Sequence, residues 1–386
     1  MNILYISSFD LSLGRGPSVN ERTFLNNLNK QVENLYCIHG KSTIKNDLKI
    51  KKSYSRITST QKNKFFFPLI ELYKFLCACY IIKRYKVDFI IARVELFPIS
   101  IYFLSIIFKD KIYIKTLGGG LINSLSNNNL QFLNSLNNYL IKVILKKSFA
   151  IDTVSERFKQ LICKTYDLCK SKVHVIDNGV DLIKFKKTDN PIERIKNKYN
   201  IDLSKFDYII GYAGNLAIER GGIEVINAVN YLNNSLTNKK IAGLILGGGH
   251  SDKLLKNKFS EDEMKNIVLT GNINFDDLPM FISCLDIGFS ILHPKNQGAS
   301  AQKVRQYVAC NVFTITTPGQ ENFVEKYGVG KIFENKEKNL INIYLMNLLT
   351  SNKHKVNSPT KLLDEISIYS KVKERISILK KDISEN

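Results

Sequence analysis

The 386-residue chain has no tryptophan, only five histidines and eight prolines, and fewer acids than bases: 35 Asp+Glu against 56 Lys+Arg. The five histidines are scattered, and no Cys-x-x-Cys pair occurs among the seven cysteines, Cys37, Cys77, Cys79, Cys163, Cys169, Cys284 and Cys310. That argues against a zinc site, and the odd count with irregular spacing argues against a disulfide framework. Most of the cysteines sit in apolar stretches such as Phe75–Tyr80, which predicts reduced, buried thiols of a cytoplasmic protein. No uncharged apolar run reaches about 18 residues, so no transmembrane helix is predicted. The start, Met1-Asn2-Ile3-Leu4-Tyr5-Ile6-Ser7, lacks a basic leader and reads as a buried strand, not a secretory signal. No Walker A sequence and no Gly-x-Ser-x-Gly elbow is present, which disfavours a P-loop NTPase and an α/β-hydrolase.

The shortage of acids leaves a net charge of +21, of which about +15 falls in residues 1–185. A basic surface suits nucleic acid, anionic lipid or phosphorylated substrates, and it also describes a chain that simply solvates itself with lysine. No nucleic-acid recognition motif accompanies the charge, so nucleic acid is not an expected partner.

What the chain does have is a series of short, almost wholly apolar runs separated by helical patterns. In the first half they are Asn2–Ser7, Val87–Ala92, Lys111–Thr116, Ala150–Val154 and Val173–Ile176. In the second they are Tyr208–Ala213, Ile241–Leu246, Ile267–Thr270, Asp286–Ile291 and Val312–Thr316. Runs of this kind are strands buried on both faces, and their alternation with helices implies parallel sheets. The expected fold class is therefore α/β, with two Rossmann-like domains facing a central cleft. The polar stretch Lys186–Pro191 suggests a boundary giving domains 1–185 and 186–365, with a C-terminal helix, about 366–386, packing back on the first.

In doubly wound sheets ligands bind at the carboxyl ends of the strands, so the following loops are where chemistry is sought. Gly211–Gly222 follows a strand and opens a helix, and it carries Gly214, Asn215 and Arg220; an arginine there can pair with a phosphate. His293–Lys303 has the same strand-to-helix setting. Its small residues Gly298, Ser300 and Ala301, followed by Gln302 and Lys303, would leave helix N-terminal N–H groups open to an anion. Ser300 doubles as an ordinary N-cap, and His293 as an ordinary loop residue. In the first half, Gly14-Arg15-Gly16 follows the first strand without the third glycine of a dinucleotide fingerprint. Arg93 and Glu95 end another strand, as substrate contacts or as a local ion pair, and Gly118, Gly119 and Gly120 form a further loop. Gly271 and the triplet Gly247–Gly249 end strands of the second half.

Several of these segments in register resemble the family-4-like (group 1) retaining glycosyltransferases of the GT-B fold. The resemblance rests on Ile151–Ser155 with Val175-Ile176-Asp177-Asn178-Gly179-Val180-Asp181 and Phe185, and on Gly211-Tyr212-Ala213-Gly214-Asn215 with Arg220-Gly221-Gly222. It continues through Asn266–Gly271, Leu278-Pro279, Leu285–Ile287, Lys303–Cys310 and Pro318–Glu321 with Gly330. It implies a metal-independent, hexosyltransferase-type enzyme with no cofactor, moving a sugar from a nucleotide-diphosphate sugar to a glycan or lipid-linked acceptor in bacterial surface polysaccharide (capsule or lipopolysaccharide) synthesis. Arg220, Asn215 and Gln306 would be the catalytic positions. Gly214, Gly271, Gly298, Ser300, Ala301, Gln302 and Lys303 would hold the donor. Gly14, Arg15, Gly16, Arg93, Glu95, Gly118 and Gly119 would hold the acceptor.

The chain departs from the family at five places, one of them Leu117-Gly118, where a histidine commonly follows a first-half strand. Asn215 stands where a phosphate-binding arginine is usual, and Arg220 where a lysine is. Gly298 and Gln306 occupy the two acidic positions of a Glu-x7-Glu pattern. Two alternatives follow, a non-catalytic sugar-nucleotide or glycan-binding protein and another GT-B enzyme such as a sugar-nucleotide epimerase. Finally, Phe65–Ile70 leads into an apolar helix with Lys74, Lys83, Arg84 and Lys86, and Phe97–Phe108 reads as a second, ending near Lys109 and Lys111. Most of their apolar residues are expected to pack on the first sheet. Apolar residues beside lysines also suit adsorption to an anionic membrane surface, which would place the protein peripherally on the inner face of the plasma membrane.

Overall fold

The computed structural model describes residues 1–11, 16–40, 52–57, 67–95, 97–116, 131–214, 221–248, 250–292, 302–318, 323–334 and 337–385. The chain divides into two compact units, Met1–Asn178 with Ile368–Asn386, and Gly179–Ser367. The polar stretch 186–191 lies within the second.

The first unit holds a parallel seven-stranded sheet in the order β3-β2-β1-β4-β5-β6-β7. The strands are β1 (Asn2–Asp10), β2 (Asn34–Gly40), β3 (Lys52–Ile57), β4 (Phe89–Arg93), β5 (Ile112–Lys115), β6 (Ala150–Thr153) and β7 (Val173–Val175). Tyr5, at the centre of β1, aligns with Cys37 on one side and Ile91 on the other. Alternate residues feed two separate cores, as the twofold period of a strand requires. Leu4, Ile6, Ile90, Ala92, Ile112 and Ile114 meet the helices Phe67–Tyr85, Ile99–Ile107, Gln131–Lys147 and Glu156–Tyr166. Ile3, Tyr5, Phe89, Ile91 and Tyr113 meet Phe24, Leu25 and Leu28 of the helix Gly16–Asn29, and Val372, Ile376 and Leu379 of the last helix, Ile368–Glu385.

The second unit repeats the plan with six parallel strands, β10-β9-β8-β11-β12-β13. They are β8 (Tyr208–Ala213), β9 (Ile241–Leu246), β10 (Ile267–Leu269), β11 (Ile287–Ser290), β12 (Phe313–Thr316) and β13 (Gly330–Ile332). Ile209, Ala213, Ala242 and Leu244 face one core with the helices Leu278–Ser283 and Gln302–Ala309. Ile210, Tyr212, Ile245, Ile287 and Phe289 face the other with Gly222–Ser235 and Lys338–Thr350.

Counted from its own first strand, the second sheet runs 3-2-1-4-5-6, the Rossmann order, and the first runs the same way with a seventh strand added at the end. The order reverses between β1 and β4 in the first unit and between β8 and β11 in the second. The carboxyl ends of those strand pairs are therefore where each unit opens a crevice for a ligand. Three strands, β2, β3 and β13, were not among the apolar runs. Asn34–Gly40 mixes polar with apolar residues, Lys52–Ile57 is mostly polar and lies at a sheet edge, and Gly330–Ile332 is only three residues long at an edge of its sheet.

Candidate functional site

In the second unit, β8 runs out at Gly214, whose φ of +144° is a conformation that favours glycine. A Cβ there would stand 2.6 Å from both Cε and Nζ of Lys303. Lys303, in the first turn of the helix Gln302–Ala309, thus lies across the bare Gly214 backbone. Its ammonium hydrogen-bonds the Tyr212 hydroxyl and sits 4.0 Å from the Tyr212 ring centroid. One turn on, the buried Tyr307 hydroxyl accepts from the Ala213 N–H (2.9 Å) and donates to the Phe289 carbonyl (3.2 Å). That pair of bonds ties the helix to the ends of both switch-point strands. Gly288 on β11 has no room for a side chain, since a Cβ would meet the Tyr307 ring at 2.6 Å.

Two other sequence-predicted positions lie on this helix. Gln302 donates from Nε2 to the Gly179 carbonyl (3.4 Å). Gln306 is buried, as is Arg305, whose guanidinium carbon lies 5.7 Å from the Phe323 ring centroid. Gly271, after β10, has φ +64° and open space where a Cβ would go; its carbonyl accepts from Gly247 N–H (3.1 Å), which joins the loops after β9 and β10. Asn215, Arg220, His293, Gly298, Ser300 and Ala301 lie outside the described residues. Among the described residues, the helix start thus presents an anchored lysine beside a bare glycine at the reversal of strand order. A cation in that position suits an anionic ligand.

In the first unit the carboxyl ends of β1 and β4 carry a small polar pocket lined by Ser7, Ser8, Glu71, Lys74, Arg93 and Glu95. Glu95 accepts from the Ser8 N–H (3.2 Å) and the Ser7 hydroxyl (3.3 Å). Burial raises the Glu95 pKa, against the pull of the Arg93 and Lys74 charges. Lys74 bonds the Ser8 hydroxyl and pairs with Glu71 at 2.6 Å, while Glu71 also accepts from the Ser100 N–H (2.9 Å) and hydroxyl (2.7 Å).

Arg93 is turned inward. It donates to Glu21 at 3.0 Å and lies 3.9 Å from Glu95. Lys115, at the end of β5, holds the same Glu21 at 3.2 Å. Burial pushes the Glu21 pKa up, but Lys115 and Arg93 together bring it below the ordinary value. Gly16 opens the helix that carries Glu21, while Gly14, Arg15, Gly118 and Gly119 lie outside the described residues.

Sequence reasoning found Arg93 and Glu95 but missed Glu21, Glu71, Lys74 and Lys115 as parts of one buried network. Lys115 carried the same signal as Arg93, a charge closing an apolar strand. The acids on helices carried none, because an isolated helical glutamate normally faces solvent. Among the described residues no group of histidines, cysteines and acids could hold a metal ion.

No protein-family model and no curated protein sequence matches the chain. Solved structures do. A glycosyltransferase from Rickettsia africae superposes with TM-score 0.74 at 18% identity, covering 100% of this chain and 99% of that one. HepE from Anabaena, in complex with UDP and glucose, gives 0.68 at 11% identity, covering 99% and 100%. WaaG, a glycosyltransferase involved in lipopolysaccharide biosynthesis, gives 0.67 at 12% identity, covering 98% and 99%. With likeness of shape over whole chains and little likeness of sequence, what is shared is architecture: the chain has the GT-B fold of these glycosyltransferases, an α/β fold of two Rossmann-like units.

Proposed function

We propose that the chain is a retaining, metal-independent glycosyltransferase that moves a sugar from a nucleotide-diphosphate sugar to a glycan or lipid-linked acceptor in bacterial surface polysaccharide synthesis. The observation that carries the reading is Lys303, held across Gly214 by Tyr212 at the β8/β11 reversal. A diphosphate at this crevice meets the Lys303 ammonium. On the sequence pattern it also meets Arg220 and the amides of Ser300 to Gln302. Charge grows on the departing diphosphate as the glycosidic bond breaks, and preorganised donors of this kind are typically worth ~3–4 kcal/mol each in the transition state. HepE, of the same fold, is described with UDP and glucose, which makes a UDP-sugar the first donor to try.

On this reading the buried Gln306 takes the place of an acid that accepts from the ribose hydroxyls; its amide oxygen accepts without charge. The acceptor side falls on the first unit, where Glu95, Ser7 and Ser8 offer hydroxyl-binding groups at the β1/β4 reversal. The amide at Gln306 and the absent side chain at Gly298 also favour a second reading, a sugar-nucleotide-binding protein without transfer activity.

One experiment separates the readings. A thermal-shift series with UDP, GDP and CMP and their sugars, followed by detection of released or transferred sugar, is run on the purified chain and on Lys303→Met. Nucleotide-dependent stabilisation lost in Lys303→Met supports the donor site. Stabilisation without sugar release favours the binding protein. Absence of any nucleotide effect rejects both.

A further inference from the structure

The helix Phe67–Tyr85 is inverted. The charged pair Glu71–Lys74 points into the protein, buried with Ala78, Ile81 and Ile82. Its exposed stripe is apolar: Leu69 (61% exposed), Leu72, Tyr73, Leu76 and Tyr80 recur at i, i+3, i+4, i+7 and i+11, the spacing of one helix face. The next helix, Ile99–Ile107, exposes Phe103, Ile106 and Ile107 (57%) at i, i+3 and i+4. The third, Gln131–Lys147, exposes Leu133, Leu136 and Tyr139.

These three stripes are contiguous. Phe75 and Phe103 pack, tilted, between the first and second helices with centroids 5.9 Å apart, and Tyr102 and Tyr139 join the second to the third at 6.4 Å. Scattered exposed leucines are ordinary, but a continuous apolar sheet of side chains across three adjacent helices marks an interaction surface.

The charge on this face selects the occupant. The only acid on the three helices is Glu71, which is buried. All the exposed charges on them are basic: Lys83 and Arg84 close the first helix, and Lys142, Lys146 and Lys147 close the third. The helices lie side by side as crossovers between parallel strands, so these closing turns gather at one end of the patch. Lys109 and Lys111, just after the second helix, flank the exposed Asp110 at the same end, and Lys146 pairs there with Asp167 at 2.9 Å, so this end carries acids as well but keeps a net positive charge. A protein partner would have to supply an acidic strip beside a broad apolar face. An anionic bilayer supplies both together, headgroup charge over hydrocarbon. Tyr73, Tyr80 and Tyr139 are amphipathic rings of the kind that sit well at the headgroup level.

We infer that the exposed face of the helices Phe67–Tyr85, Ile99–Ile107 and Gln131–Lys147 docks the protein peripherally on an anionic lipid surface. No helix among the described residues is long and apolar enough to cross a membrane, so the contact is with the interface plane. The docking goes beyond the proposed sugar transfer and requires no nucleotide.

The test is flotation with vesicles of phosphatidylglycerol and phosphatidylcholine, and of phosphatidylcholine alone, at low and high salt. The full chain is expected to float with the anionic vesicles and to be released by salt. Leu72→Ser/Leu76→Ser lowers the partition by about tenfold or more. Lys83→Gln/Arg84→Gln lowers it by about fivefold per cation removed. Each variant is checked for an unchanged Tm and an unchanged nucleotide-induced shift, which keeps a failure here separate from a failure of the donor site. No flotation at low salt overturns the inference, as does flotation that neither variant weakens. So does self-association in light scattering that the leucine variant abolishes while vesicle binding is absent, because a second copy would then be the occupant.

Discussion

Arg375 and Asp152, 223 residues apart in sequence, form an ion pair in the interior of the first unit. Asp152 lies on β6 and Arg375 on the last helix, Ile368–Glu385. The same guanidinium donates from Nη2 to the Ile176 carbonyl at 3.0 Å and the Asp177 carbonyl at 3.4 Å. Both side chains are about 2% exposed or less. The pair fixes the last helix to the carboxyl-terminal side of the sheet, next to the buried network of Glu21, Arg93 and Lys115.

Removing one member of a buried pair strands the other. Arg375→Met is therefore expected to destabilise the first unit by about 3–5 kcal/mol. Arg375→Met/Asp152→Asn should recover part of that loss, because no uncompensated charge remains. Urea titrations followed by circular dichroism measure both. Equal stability of single and double variants would show that the helix is held by Val372, Ile376 and Leu379 alone.

Glu21 sets an acid limit. Its pKa is brought below the ordinary carboxylate value by Lys115 and Arg93, although burial acts the other way. A carboxylate with a depressed folded-state pKa stabilises the protein fully above its unfolded pKa, and that contribution disappears as pH falls through the folded value. Stability should thus decline below about pH 4.5 as Glu21 takes up a proton and leaves two buried cations facing each other. Glu21→Gln should be less stable than the parent at pH 7, with the gap narrowing towards pH 3. A constant gap in a pH series of melting curves would rule out this linkage.

The plan of the fold was legible because parallel strands buried on both faces have to be apolar along their whole length. Ile241–Leu246 could be nothing else. Lys52–Ile57 was not legible for the opposite reason: an edge strand need not be apolar, so its sequence resembles a loop. At the site, Lys303 was legible through its place after a loop of small residues. Tyr212, which holds it, was not, since a tyrosine inside an apolar strand reads as core. The inward pair Glu71–Lys74 reversed the normal sign of a helical pattern. The sequence leads one to expect most apolar residues of that helix on the sheet, whereas Leu69, Leu72 and Leu76 face outward.

Gly214 should tolerate no side chain. A Cβ there meets Lys303 at 2.6 Å, and φ of +144° is unfavourable for any L-residue. Gly214→Ala is expected to cost about 1–3 kcal/mol of stability through backbone strain. It should also weaken nucleotide binding by displacing the Lys303 ammonium. Calorimetric titration of UDP into parent and variant checks this. Undiminished affinity would separate Lys303 from the donor site.

Tyr307→Phe tests whether the helix Gln302–Ala309 needs its tie to the strand ends. The substitution leaves the buried Ala213 N–H without its acceptor, a loss of about 1–3 kcal/mol. Its ring still fills the space against Gly288, so the fold should persist. If the helix positions the diphosphate, nucleotide affinity falls together with stability. A melting curve that falls while UDP affinity holds would mean that Lys303 is placed by Tyr212 alone.

The change from amide to acid at position 306 is the sharpest probe of donor recognition. Gln306 is buried on the helix that carries Lys303, one turn further along. A carboxylate accepts from ribose hydroxyls more strongly than an amide, because charge-assisted hydrogen bonds are roughly twice as strong as neutral ones. The same carboxylate is costly to bury while the site holds no ligand. Gln306→Glu should therefore lower the Tm of the free protein and raise its affinity for UDP. Gln306→Leu, which removes the acceptor and buries no charge, should hold the Tm and lower the affinity. Melting curves and calorimetric titrations measure the two quantities separately. If both variants move stability and leave affinity alone, Gln306 is a packing residue and the ribose is held elsewhere.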